Sequence, residues 1–149
     1  MWHKFTESAK DTVLKAHECA SERKSFLVLP HDLAVGAVKA EGSVCKELLE
    51  RAGMDVTEFL QEVSEVASEP GKPGVFGQVG LSDSSKEAFD AGVQEAKKLG
   101  VKEITSEHIF IGALRASPEI QEILKAKGLV VDDLRQKLIE LLDEPKPRP

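Results

Sequence analysis

The chain has 149 residues, a net charge of −6 and a pI near 5.3, with 41% apolar and 31% charged residues. This is the composition of one ordinary globular domain, and the charge excludes a nucleic-acid surface, which needs clustered Lys and Arg to neutralise phosphate. No apolar run approaches the roughly 20 residues of a membrane span, and Met1 to Glu7 lack a signal-peptide apolar region, so a cytoplasmic location is expected.

With six Phe, one Trp and no Tyr, the core must be built from Leu, Val, Ile and Ala, which suits helices better than packed sheets. Cys19 and Cys45 form neither a disulfide framework nor a metal motif. Both fall among helical residues, where a free thiol behaves as a small apolar group.

In chain order, Thr6 caps a first helix running to about Arg23, with Phe5, Ala9, Val13, Ala16 and Ala20 on one stripe. A second helix begins near Pro30, a residue suited to the first helical position, and carries Leu33, Val35, Ala37 and Val38 to about Gly42. Ser43 caps a third with Val44, Leu48 and Leu49, stopped by Gly53. Asp55 with Glu58 resembles a capping box and opens a fourth bearing Val56, Phe59, Leu60, Val63 and Val66. Glu69 to Gly80 is rich in Pro and Gly and reads as a linker, and its Val75, Phe76 and Val79 suggest that it lies across the domain.

The pattern then begins again. Ser82 caps a helix of Ala88, Phe89, Val93 and Ala96 that ends at Gly100, and Ser106 opens one with Ile109, Phe110 and Leu114. Ser117, Pro118 and Glu119 give a cap, a first-turn Pro and a first-turn acid in order, ahead of Ile120, Ile123 and Leu124. Asp132 opens the last helix, with Leu134, Leu138, Leu141 and Leu142, and 144–149 is a Pro-rich extended tail. Shifted by 76 residues, Thr6 meets Ser82, Lys10 meets Lys86, Leu33 meets Ile109 and Gly36 meets Gly112. After one deleted position the shift becomes 75, and Gly53 meets Gly128 and Phe59 meets Leu134. Such self-similarity marks a duplicated unit. The expected fold is all-α: two tandem four-helix repeats (5–68 and 81–143, joined by 69–80, within a domain of 3–143) related by a pseudo-two-fold axis.

Catalytic signatures are missing. Gly71-Lys72 is followed by Pro73 and lacks the upstream glycine of a P-loop. His3, His17, His31 and His108 show no zinc spacing, and no local motif surrounds a Cys–His pair. The chain is therefore read as a non-enzyme without metal or cofactor. What remains is a repeated pair, Thr6 with Lys10 and Ser82 with Lys86. Each opens a long helix, where free amides and the dipole favour an anion, and the lysine follows one turn later. Simple capping with solvated lysines explains the same residues.

Phe5-Thr6-Glu7-Ser8-Ala9-Lys10 and Thr105-Ser106-Glu107-His108-Ile109-Phe110, together with Lys98-Leu99-Gly100 and the duplication itself, resemble the Clp N-terminal repeat domain of ClpA- and ClpC-type unfoldases. The resemblance implies a recognition module that docks adaptor proteins and substrates for a Clp-type AAA+ unfoldase and its protease. In ClpC-type members it further implies a phosphoarginine site in each repeat, with phosphate at the first helix start and guanidinium at the Glu of the Thr-Glu-His element. Carried over by position, the second half offers Ser82, Lys86 and Glu107. The first half offers Thr6 and Lys10, but His31 stands where the family has Glu, and imidazole cannot replace a carboxylate beside guanidinium; a weaker site is expected there. Two other readings stand beside this one: an accessory subunit that packs on the protease and binds no degradation mark, and an enzyme using a Cys or His.

Overall fold

The computed structural model describes residues 4–25, 27–67 and 80–143. The element order is α1 (Glu7–Glu22), β1 (Leu27–Val28), α2 (Pro30–Lys39), α3 (Cys45–Arg51), α4 (Val56–Val66), β2 (Gly80–Leu81), α5 (Asp83–Lys98), α6 (Ser106–Ala116), α7 (Pro118–Ala126) and α8 (Val131–Asp143). The fold is all-α, four helices to each half, with one two-residue parallel ribbon. The expected path of Val75, Phe76 and Val79, the tail 144–149 and residue 3 lie outside the described residues.

Helix starts follow the sequence signals closely. Thr6, Asp55, Ser82, Thr105 and Ser117 each accept the amide three residues ahead, satisfying a donor that has no intrahelical partner. α6 opens at Ser106 as expected, and two other starts shift by one residue. Thr105, still extended (φ −105°, ψ 170°), caps α6, and Ser106 is its first residue. Val44 holds the cap position of α3, and Ser43 Oγ accepts the Cys45 amide at 3.1 Å. α8 begins at Val131, one residue before the expected Asp132, and Asp133 in its first turn accepts the Val130 amide. Gly53 and Gly128 follow α3 and α7 with φ of 82° and 77°, the left-handed turn that ends a helix cheaply only at glycine.

α2 and α6 form the centre. Every residue from Pro30 to Val38, and every one from Ser106 to Leu114, is buried. α1 lies on α2, α5 lies on α6, and α2 packs against α6. The outer helices come close enough to forbid side chains at the crossing. A Cβ on Gly112 would stand 2.1 Å from the Ala88 carbonyl oxygen, and one on Gly36 would stand 2.5 Å from that of Thr12.

This close approach explains where the expected core was misplaced. The inward line of α1 is Ala9, Thr12, Ala16 and Ala20, and that of α5 is Ser85, Ala88, Gly92 and Ala96. Val13 and Phe89, expected to be buried, are half-buried on the flank, and Phe89 sits 6.1 Å from the Phe5 ring. Large side chains cannot occupy a contact set by backbone atoms. The remaining expected core residues (Leu33, Val35, Leu48, Phe59, Val63, Ile109, Ile111, Leu124, Leu134 and Leu138) are all buried.

Exchanging the halves maps the packing onto itself. α3 lies on α8 and α4 on α7, and α1 touches α6 as α2 touches α5. The bridge of Phe5 with Ile104 is the image of the pairing of Val28 with Leu81. The Thr6 amide donates to the Ile104 carbonyl at 2.9 Å, and its counterpart, the Ser82 amide, donates to that of Val28 at 3.0 Å. Each repeat therefore finishes the other, and the edge-on contact of Phe59 with Phe110 at 6.4 Å joins them in the core.

Gly112→Ala should destabilise the fold by about 3 kcal/mol or more, because a methyl group meets backbone that cannot rotate away. Gly128→Ala, at an open site with positive φ, should cost only about 1–2 kcal/mol. Urea unfolding of both variants checks the order; equal losses would mean that the central crossing is pliable.

Candidate functional site

A fully buried helix must settle its polar start internally, and the two central helices do so in matching ways. At the start of α2, Asp32 Oδ2 accepts the Leu29 amide at 2.8 Å while Arg23 Nε donates to Oδ1 at 3.1 Å. At the start of α6, His108 occupies the equivalent position, and its Nδ1 accepts the Thr105 amide at 3.0 Å. Nδ1 is thus the unprotonated nitrogen and Nε2 carries the proton. Nε2 is buried without a hydrogen-bond partner among the described residues. Burial pushes the His108 pKa below its usual value, with nearby Glu107 and Glu95 opposing.

The structure crosses the pairing expected from sequence. Ser82 and Lys86 were grouped with Glu107, and Thr6 and Lys10 with His31. Instead the start of α5 lies beside β1, which leads into α2 and His31: the Ser82 amide and the Ser85 hydroxyl both donate to the Val28 carbonyl. The start of α1 lies beside Ile104, which leads into α6 and Glu107. The parallel pairings between halves cause the exchange, since each repeat's first helix is stitched to the other repeat's second.

Several of the expected ligand groups are already engaged. Glu107 is buried; its Oε1 accepts the Val44 amide at 3.0 Å, and its Oε2 accepts the Ser106 hydroxyl at 2.8 Å. It therefore caps α3 across the repeat boundary. Thr6 and Ser82 hydroxyls cap their own helices. Lys10 and Lys86 each lie near a first-turn acid, 3.6 Å from Glu7 and 3.9 Å from Asp83.

His31 is buried at the image of Glu107, facing α7 as Glu107 faces α3. Its Nε2 lies 3.4 Å from Ser117 Oγ and 3.9 Å from Glu119 Oε2. Beside it opens a cleft of about 210 Å³, lined by Leu29, Pro30 and His31 of the α2 start, Ser84 of α5, and Ser117, Pro118 and Glu119 of the α7 start. Three helix N-termini, each a weak positive pole, surround this cleft, and Glu119 supplies a half-exposed carboxylate at its wall. Ser84 and Glu119 were missed as site residues. Glu119 was legible as the acid after Pro118, but nothing in the chain order places α7 against α2.

Neither thiol is activated as a nucleophile. Burial pushes the Cys45 pKa well up, and burial with help from Asp32 raises that of Cys19 to about 12, which leaves both protonated and weakly nucleophilic. Among the described residues, no three His, Cys, Asp or Glu side chains gather as a metal site, and no helix is long and apolar enough to cross a membrane.

Two interlocked four-helix units with polar starts gathered at their boundary define a tandem-repeat helical domain. The chain belongs to the family of the Clp repeat (R) N-terminal domain, whose model matches residues 4–127. It is 23% identical over 145 residues to the chaperone protein ClpC1 of rice chloroplasts, covering 97% of this chain and 16% of that protein. The chain thus spans about a sixth of the length of that curated relative. Its fold is similar to the Hsp104 N-terminal domain of Candida albicans (TM-score 0.76, 19% identity, 95% of this chain and 93% of that one). It is also similar to the N-terminal domain of ClpD from Arabidopsis thaliana (TM-score 0.71, 18% identity, 97% of each chain).

His108 gives a pH signature. Its pKa is lowered in the folded chain and near 6.5 in the unfolded one, so below about pH 6.5 the unfolded chain takes up a proton that the folded chain refuses. Stability is then lost as pH falls from about 6.5 toward the folded value, by at most about 1.4 kcal/mol per pH unit. In urea unfolding at neutral and mildly acidic pH, the difference between wild type and His108→Asn should shrink on acidification. Parallel pH profiles would show that burial does not perturb this imidazole.

Proposed function

We propose that this chain is a protein-recognition domain that binds adaptor proteins or substrate polypeptides on behalf of a Clp-type AAA+ unfoldase and its protease. The observation that carries the reading is the cleft where the starts of α2, α5 and α7 meet beside Glu119. Family membership supplies the context, and the cleft supplies chemistry that suits a ligand carrying both charges. Helix N-termini attract a phosphate, and a carboxylate pairs with a guanidinium in charge-assisted hydrogen bonds. A phosphorylated arginine has both groups.

On this reading the ligand set is Ser84 and Lys86 from α5 with His31 and Glu119, where Glu119 replaces the carboxylate missing at His31. Ser82 shapes the start of α5 rather than touching ligand, because its hydroxyl already accepts the Ser85 amide. The symmetry-related set is Thr6, Lys10 and Glu107, in which Glu107 must share its oxygens with Val44 and Ser106. The expected order of the two sites therefore reverses, with the His31 side the stronger.

A second reading, an accessory subunit of the protease that binds no degradation mark, draws on the internal engagement of Thr6, Ser82 and Glu107. One titration separates them. Free phosphoarginine followed by amide NMR should produce saturable shifts at Ser84, Ser117 and Glu119. Glu119→Gln should weaken binding about tenfold or more, the effect of losing one charge-assisted bond worth roughly 1.5–3 kcal/mol. Ser84→Glu should abolish binding at this cleft. Absence of saturable shifts in wild type would favour the accessory-subunit reading.

A further inference from the structure

A second concavity lies away from the polar helix starts. The C-terminal half of α5, the turn 101–104 and Lys4 enclose a groove of about 580 Å³, within the roughly 300–1,000 Å³ typical of ligand clefts. Its apolar lining is Val93, Ala96, Val101 and Ile104, of which Ala96 and Ile104 are fully anchored in the core and Val101 is 39% exposed. Backbone bonds hold the walls. The Ile104 amide donates to the Lys4 carbonyl at 2.8 Å, and the Val101 amide donates to that of Ala96 at 2.9 Å. These bonds fix the backbone path on two sides of the groove.

The charge around its rim is net positive. Lys4, Lys97 and Lys102 are exposed around it against one carboxylate, Glu103. Among the described residues only Lys10, Lys86 and Lys127 have an acidic neighbour within 4 Å, so most lysines of the chain lack one. Among the described residues none of the three rim ammonium groups has one. A locally positive, unneutralised rim on a chain of net charge −6 is a complementary surface for negative charge. The lysine stems can cover apolar surface while their heads stay in water, so a partner need not desolvate them fully.

We propose that this groove docks a polypeptide segment of a partner protein in which two or three apolar side chains are flanked by Asp or Glu. The apolar residues occupy the floor of Val93, Ala96, Val101 and Ile104. The flanking carboxylates face Lys4, Lys97 and Lys102. This surface shares no residue with the cleft beside Glu119, so it stands whether or not that cleft binds a phosphorylated ligand.

The test uses three fluorescein-labelled synthetic peptides and the full chain: a Leu-Val-Phe core flanked by Glu and Asp, the same core flanked by Lys, and the acidic flanks around a Ser core. Anisotropy titrations at low and high salt should show saturable binding of the acidic-flanked apolar peptide, weakened by salt as rim charge pairs require. The other two should bind at least about tenfold more weakly. The double variant Lys97→Glu and Lys102→Glu changes only exposed positions and should keep the unfolding midpoint; its preference should invert toward the Lys-flanked peptide. Glu119→Gln should leave all three affinities unchanged. Failure of the acidic-flanked apolar peptide to saturate, equal binding of the two apolar peptides, or retention of its affinity by the double variant would overturn the proposal.

Discussion

The close crossing of α1 on α2 and of α5 on α6 governs the rest of the molecule. With Gly36 and Gly112 at the crossings, backbone meets backbone, and only small residues fit along the facing lines of α1 and α5. Those two long helices therefore gain little from large apolar side chains of their own. Their role is to seal α2 and α6, which are thereby buried around their whole circumference. Leu33, Ile109, Phe110, Ile111 and Leu114 of these central helices are fully buried, and the seal helps to remove them from water.

Full burial of α2 and α6 has an electrostatic consequence. A helix start brings unpaired amides with it, and an enclosed start has no water to satisfy them. Asp32 and His108 answer this demand at equivalent positions, one as an ion-paired carboxylate and one as a neutral imidazole. The duplication has kept the geometry while changing the chemistry. Next to them, Glu107 and His31 diverge in the same manner: the carboxylate caps α3, whereas the imidazole meets Ser117 and leaves Glu119 of α7 half-exposed. One side of the pseudo-two-fold is thus self-satisfied, and the other retains an outward-facing carboxylate and a cleft.

Much of the fold was legible. Caps at Thr6, Asp55, Ser82 and Ser117, the prolines at the starts of α2 and α7, and the repeat shift each reported a local backbone event, and local events are written in adjacent residues. What escaped was of two kinds. The inward line of α1 was assigned to Val13 instead of Thr12, because hydrophobic periodicity assumes that the larger apolar residue faces in; a backbone-limited crossing reverses that preference. The pairing of Thr6 with the Glu107 side, and of Ser82 with the His31 side, was unreadable because internal similarity aligns equivalent residues without saying which half supplies each neighbour.

The interlocking also bears on how binding at one place is felt elsewhere. β1 pairs with β2 and thereby ties the α2 start to the α5 start, while Ile104 binds the segment leading into α1 through Lys4, Phe5 and Thr6. The cleft beside Glu119 abuts the first of these ribbons, and the Lys-rimmed groove is built on the second, since Lys4 and Ile104 line it. Both surfaces thus sit where one repeat's first helix is stitched to the other repeat's second helix. Such stitches are two residues long at most, and their strength rests on a few backbone hydrogen bonds, each contributing only about 1 kcal/mol net. The duplicated core below them is close-packed and resists deformation. The residues that follow each stitch, such as His31 and Glu107, can therefore differ between the halves without disturbing the crossing on which the fold depends.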